Sequence, residues 1–188
     1  DPAQLYKACF YERPPGANYI GPNDGAWTAI SPDGIHWTKS NSPAVRQLGD
    51  TVGFCYDSIH HRYLCFGKRY TDRGRSRFQR ESRDFSTWTE PRLILKTDDQ
   101  DDQPCEFYNN TGFVWGEMLL GWLQVFYMHQ DPFKHRLVLE LIYSRDGLVW
   151  HRMPSRKPVL DVGPDGSWDR TNQSAATGPP IVVGDKMY

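Results

Sequence analysis

Three carboxylates stand out by position. Asp50 begins Asp50-Thr-Val-Gly-Phe54, Glu106 begins Glu106-Phe-Tyr-Asn-Asn110, and Asp169 ends Gly166-Ser-Trp-Asp169. Each sits where a new strand-forming unit opens. Carboxylates drawn from successive units to one place are what acid/base work on a glycosidic bond requires: one protonates the leaving oxygen and another attacks or activates water. Glu106 is the best placed, because Glu is a poor turn former and Phe107-Tyr108 follow it directly. Beside these acids, Tyr108, Asn109, Asn110, Arg69 and Asn172 are candidates to bind substrate. A carboxylate at a strand start also serves simply as a cap or turn residue, and Lys68-Arg69 equally read as a solvated strand end.

The elements that must position these groups are set by a repeat. The phrase Ser-x-Asp-x-x-x-Trp occurs as Ser31–Trp37, Ser82–Trp88 and Ser144–Trp150, about 50 and 60 residues apart. Ser and Asp fold their short side chains onto the local backbone, and Gly, in two of the copies, supplies a left-handed turn position. The Trp is then expected to re-enter the core as the next strand begins. Asp33, Asp84 and Asp146 are thereby read as turn-forming rather than chemical.

Helical periodicity is nearly absent, and 14 Pro and 16 Gly cut the chain into short segments. Strand patterns fall at 6–11, 25–30, 52–56, 62–69, 77–82, 107–115, 117–127, 137–143 and 181–183. They group into units of about 1–47, 48–100, 101–160 and 161–188, the first and last incomplete. Four antiparallel strands per unit describe a β-propeller blade. The expected fold is all-β, a single partial propeller domain of about three to four blades, excerpted from a longer chain because it starts at Asp1 and stops in a turn. Inner strands of blades line a central channel, so Asp50, Glu106 and Asp169 are expected at one mouth of it.

Composition narrows the partners. With 22 Lys+Arg against 23 Asp+Glu there is no electrostatic case for nucleic acid or an anionic membrane, and no apolar run approaches a bilayer span. Four cysteines lack metal-ligand spacing and read as buried free thiols; Cys55 and Cys65 share one hairpin, while Cys9 and Cys105 have no evident partner. His60-His61, His129 and His135 likewise lack ligand spacing on one element. Asp98–Asp102 could be a calcium loop but lacks its Gly and terminal Glu, and reads as a solvated linker between blades. No cofactor is expected, with structural calcium the one exception entertained. The glycosylation patterns at Asn109 and Asn172 fall on strand starts and are read as chance matches. Phosphate loops, nucleophile elbows, zinc-protease helices and dinucleotide fingerprints are missing.

The unit openings, the Ser-Arg-Asp-Gly-x-x-Trp turn, and Pro158–Asp169 followed by Gly178-Pro-Pro-Ile-Val-Val-Gly-Asp185 resemble the five-bladed propellers of the arabinanase, invertase and levansucrase superfamily, especially bacterial proteins labelled glycosyl hydrolase family 32-like. The resemblance runs from about residue 25 onward. It implies a funnel-shaped site with three acidic residues from three blades. Carried over by position, Glu106 becomes the general acid and Asp50 the base or a binding carboxylate, with a family 32/43-like glycosidase acting on a plant or microbial glycan as the implied activity. The chain departs from that pattern: it lacks Asn-Asp-Pro-Asn and Arg-Asp-Pro segments, and Cys105-Glu106 reverses the expected Glu-Cys. A non-catalytic carbohydrate-binding propeller is therefore the alternative, and a sialidase-like enzyme, whose arginine triad is not evident, ranks third. A secreted or periplasmic location is slightly favoured over the cytoplasm, and the oligomeric state is left open.

Overall fold

A computed structural model describes residues 1–13, 25–46, 48–101, 104–174 and 179–188. Its described residues form antiparallel sheets joined by turns, with only two short 3₁₀ turns, Pro2–Gln4 and Pro132–Lys134. In the first sheet β1 (Tyr6–Glu12) pairs with β2 (Gly25–Ser31), whose other edge carries β3 (Thr38–Lys39) and β4 (Val45–Arg46). The second sheet runs in order β5 (Gly53–Asp57), β6 (Arg62–Thr71), β7 (Gly74–Ser82), β8 (Arg92–Leu95). In the third, β9 (Cys105–Asn110) and β10 (Phe113–Trp115) form one interrupted inner strand against β11 (Met118–Tyr127), followed by β12 (Arg136–Ser144) and β13 (His151–Arg152). A short hairpin, β14 (Val182–Val183) with β15 (Lys186–Met187), lies near the C-terminal end. The second and third sheets are the four-stranded meanders of a β-propeller, and the first, with β3 and β4 sharing one edge of β2, is three strands wide.

Sheets stacked face to face explain why β6 reads as a nearly continuous apolar run rather than a clean alternation. Leu64 and Phe66 point toward the third sheet, where they join Phe107, Leu119, Leu123, Val125, Ile142 and Trp150 in the larger core. Cys65, from the other face of β6, joins Ala26, Val45, Leu48 and Val52 in a smaller core against the first sheet. Each fully buried Phe or Leu contributes about 2–3 kcal/mol of transfer free energy, so the larger core carries more of the stability.

The repeated turns form as the Ser and Asp positions dictate. Asp33 Oδ1 accepts from the amides of Ile35 and His36, Asp84 Oδ1 from Ser86 and Thr87, and Asp146 Oδ1 from Leu148 and Val149, at 2.7–2.9 Å. Gly34 and Gly147 occupy left-handed backbone in their copies, and Phe85 takes the same conformation in the second. The tryptophans diverge from expectation. Trp150 is buried, donating its indole N–H to Gln79, whereas Trp37 is 45% exposed and donates to Gly34 in its own turn. The reason is a neighbour: the third turn is gripped by β6 and β7 of the second sheet through Arg62 to the Asp146 carbonyl and Gln79 to the Gly147 carbonyl. Ile35 and Trp37 of the first turn stay exposed.

Two further expectations change. Cys55 opposes Leu64, while Cys65 opposes Phe54, so the two cysteines lie on opposite faces of one hairpin. All four cysteines are free, and Cys9 is only half-buried. The acidic run is an exposed linker at Asp98 and Asp99, which still reach arginines, Asp98 pairing with Arg156 at 2.7 Å and Asp99 with Arg73. It is anchored at Asp101, which is buried against Arg152, itself holding the buried Glu140. Asp102 of that run lies outside the described residues, as does Gly178.

Candidate functional site

Asp50 lies three residues before β5, and Glu106 is the second residue of β9. Their separation of 56 positions in sequence is closed in space because the inner strands of adjacent sheets run side by side. Asp50 Oδ1 is 2.5 Å from Lys68 Nζ. Lys68 stands over the Tyr108 ring at 4.5 Å, with the Arg75 guanidinium also over that ring at 5.5 Å. Arg75 closes the chain on Glu106, its guanidinium 3.1 Å from Oε2 and its backbone N–H donating to Oε1. Gly74 makes this approach feasible, since Glu106 Oε1 occupies the place a Cβ at Gly74 would take. Asp50, Lys68, Tyr108, Arg75 and Glu106 thus form one continuous charged and aromatic cluster, with Phe126 along its edge.

Burial acts to raise the Asp50 carboxyl, but the hydrogen bond and charge of Lys68, helped by Arg75, outweigh it and leave the pKa below the usual carboxylate value. Asp50 is therefore an anion at neutral pH. Glu106 commits both oxygens to Arg75, so presenting one to a ligand requires Arg75 to swing away.

Beneath the cluster lies Arg77, fully buried, a residue the sequence reasoning did not select. Its guanidinium donates to Asn110 Oδ1 at 2.7 Å, to the Tyr108 carbonyl at 2.9 Å, and more weakly to Thr51 Oγ1 and Asn109 Oδ1. All four acceptors are neutral. Burial, the largest cause, pulls the Arg77 guanidinium down to about 9 against the opposing effects of Cys65 and Asp50. The sequence signal was present but weak: Arg75 and Arg77 share one face of β7 and Arg80 lies on the other, and nothing local marks Arg77 as the one that is fully buried. Arg77 fastens a bulge, since the β9–β11 register shifts between Phe107 and Asn109 and leaves Tyr108 as the extra residue. That bulge re-aims Tyr108 toward Lys68.

The remaining candidates divide. Asn109 and Asn110 are 6% and 1% exposed and hold the strand through Arg77 rather than presenting amides at the surface. Arg69 sits on the opposite face of β6 from Lys68, over the Phe78 ring at 5.4 Å, because successive side chains on a strand alternate faces. The carboxylate of Asp169 is turned into its own loop, where its Oδ1 and Ser167 Oγ fill the space beside Gly163. Asn172 is exposed and pairs by its backbone with Leu137 at the outer edge of β12. Asp169 and Asn172 thus belong to a segment laid along β12, and no contact among the described residues joins them to the cluster. Nor do the described residues include any group of three or more His, Cys, Asp or Glu placed to hold a metal ion. No described helix is long and apolar enough to cross a membrane. Two open clefts of about 370 and 340 Å³ lie away from the cluster, along the Asp84 turn.

No family model matches the sequence. Among curated proteins the chain is similar to an A type blood N-acetyl-α-D-galactosamine deacetylase of Flavonifractor plautii, 26% identical across 74% of this chain and 23% of the relative. Among solved structures it is similar to a glycosyl hydrolase from Bacteroides ovatus, with TM-score 0.66 and 14% identity over 98% of this chain and 57% of that one. The N-acetylgalactosamine deacetylase of F. plautii, solved in complex with blood group B trisaccharide, superposes with TM-score 0.61 and 22% identity over 81% of this chain and 50% of that one. A family 32 β-fructofuranosidase of Bombyx mori gives 0.53 and 16% over 78% and 32%. The chain spans about half the length of the first two solved chains and about a quarter of the curated relative. These likenesses show that the chain shares the β-propeller fold of these solved structures.

Proposed function

We propose that this chain contributes the sugar-facing mouth of a carbohydrate-active propeller, and that the full-length protein hydrolyses a glycosidic bond there. The observation that carries this reading is the convergence of Asp50 and Glu106, from the inner openings of adjacent sheets, on one cluster around Tyr108. Asp50, held anionic by Lys68, suits the base or the charge-stabilising carboxylate. Glu106 suits the proton donor once an incoming hydroxyl draws Arg75 off it, and Tyr108 offers an aromatic surface at the same point. Neighbours whose names carry glycosyl hydrolase or fructofuranosidase activity support the class of substrate without identifying it.

A second reading has its own support. Both carboxylates are neutralised by cations, which suits recognition of sugar hydroxyls without turnover. The discriminating experiment assays the full-length protein and its Glu106→Gln variant on a panel of furanosides and pyranosides, beside glycan-array binding. Hydrolysis by the wild type that falls roughly 10²–10⁴-fold in Glu106→Gln, with binding retained, supports the acid role. Full activity in the variant removes Glu106 from the chemistry, and binding with no turnover by the wild type establishes the second reading.

A further inference from the structure

The smaller core, between the first and second sheets, contains a feature that the sugar-facing cluster does not use. Cys9 on β1 and Cys65 on β6 approach with their Sγ atoms 3.9 Å apart, across a sheet-to-sheet contact and 56 residues apart in sequence. Cys65 is fully buried among Ala26, Val45, Leu48 and Val52, and Cys9 is half-buried at the margin of the same cluster. The other two cysteines are elsewhere: Cys55 and Cys105 are buried in the larger core. The 3.9 Å separation is van der Waals contact, and side-chain rotation closes such a gap to the bond length of about 2.05 Å when the Cβ positions allow it.

We propose that Cys9 and Cys65 are a thiol–disulfide modification site which, when oxidised, staples the first sheet to the second. The oxidant is a small-molecule disulfide such as oxidised glutathione. The Cys9 thiolate, from the less buried residue of the pair, attacks one glutathione sulfur, forming a mixed disulfide and releasing one glutathione as thiolate. Cys65 then loses its proton and attacks Cys9 Sγ, forming the cross-sheet bond and expelling the second glutathione. The two protons lost by the cysteines end on the two released glutathiones, so one disulfide is reduced for each one made. The hydrogen bond with Cys9, and burial after it, hold the Cys65 thiol well above its ordinary value. The second step is therefore slow at neutral pH and quickens about tenfold per pH unit through the thiolate fraction.

The test incubates the full-length protein with oxidised glutathione, blocks remaining thiols with iodoacetamide under denaturing conditions, and maps the unreduced peptides. The expected result is a linked Cys9–Cys65 peptide with Cys55 and Cys105 alkylated, and a melting temperature raised by roughly 5–10 °C that returns to its starting value on reduction. Cys9→Ser, or Cys9→Ala should the polar variant fold poorly, abolishes both the peptide and the shift. A Cys9–glutathione adduct that never resolves, a different pairing, or four alkylated cysteines overturns the proposal. The wild-type peptide map alone decides between these outcomes.

Discussion

Carboxylates of two kinds occupy the two ends of these sheets, and they are held in opposite ways. In the repeated turns Asp33, Asp84 and Asp146 bind amides two and three residues onward, so the chain satisfies them within one turn. At the inner openings Asp50 reaches the ammonium of Lys68 on the adjacent strand, and Glu106 reaches the guanidinium and one backbone N–H of Arg75 on the next sheet. Both arrangements favour the ionised form of an aspartate: His36 and the local amides lower Asp33, the Thr87 and Ser86 amides lower Asp84, the Val149 and Leu148 amides lower Asp146, and Lys68 lowers Asp50 against the opposing effect of burial. The difference is that a turn aspartate has committed its Oδ1 to two backbone amides, whereas a mouth carboxylate faces side chains that a ligand can displace. Satisfaction by the local backbone makes structure, and satisfaction by long cationic side chains leaves room for chemistry.

The largest expected way to break the contrast is Arg77→Met. It deletes the buried donor that fastens Tyr108, Asn109 and Asn110, and strands their acceptors without water. Loss of about 3 kcal/mol of stability is expected in chemical denaturation, from unpaired buried polar groups. The fluorescence of Tyr108 and any ligand affinity should change with it, while the outer turns stay formed. A loss below roughly 0.5 kcal/mol shows that the bulge stands without its anchor.

A smaller effect separates the outer turns from each other. Gly147→Ala puts a methyl on left-handed backbone and against Arg62, with Asp57 close behind. Gly34→Ala meets the same backbone penalty but finds only the Tyr6 ring at ordinary contact distance. The backbone term is about 1–2 kcal/mol in both. Thermal melts should therefore show Gly147→Ala the more destabilised, by several degrees. Equal melting temperatures mean that Arg62 yields freely.

The smallest effect is in acid. Asp50, Asp84 and Asp146 have folded-state pKa values below those of the unfolded chain, so their contribution is present above the ordinary carboxylate range. It is lost as pH falls through the depressed values, because the unfolded state then takes up protons first. Asp98, lowered to about 2 chiefly by its Arg156 hydrogen bond, behaves likewise. Stability should fall steadily from about pH 4 downward. Asp50→Asn should flatten part of that slope at low salt, while Asp98→Asn, more exposed and screened by solvent, should flatten less of it. An Asp50→Asn slope equal to that of the wild type shows that Lys68 does not hold the carboxylate.

Much of the fold was legible because its signals are local. The Ser-x-Asp turns, the period-two strands and the spacing of the repeat follow from side chains bonding their own backbone within a few residues. The same local reading placed Asp50 and Glu106 at strand openings correctly. It did not foresee that Asp169 turns into its own loop, that Arg69 lies on the opposite face from Lys68, or the fate of each Trp, because those depend on which face turns toward which neighbour. It could not see Arg77, whose importance comes from acceptors more than 25 residues away, three of them on β9 of another sheet.

The amino-acid sequence by itself determined the repeating turns and the positions that open β5 and β9, since these rest on φ/ψ preferences and hydrogen bonds a few residues long. Only the tertiary structure decided that Lys68 and Arg75 bring Asp50 and Glu106 into one cluster, that a bulge aims Tyr108 between them, and that Cys9 meets Cys65. Those contacts join sheets stacked face to face, and their partners are set by strand register and bulges whose effects no local pattern encodes.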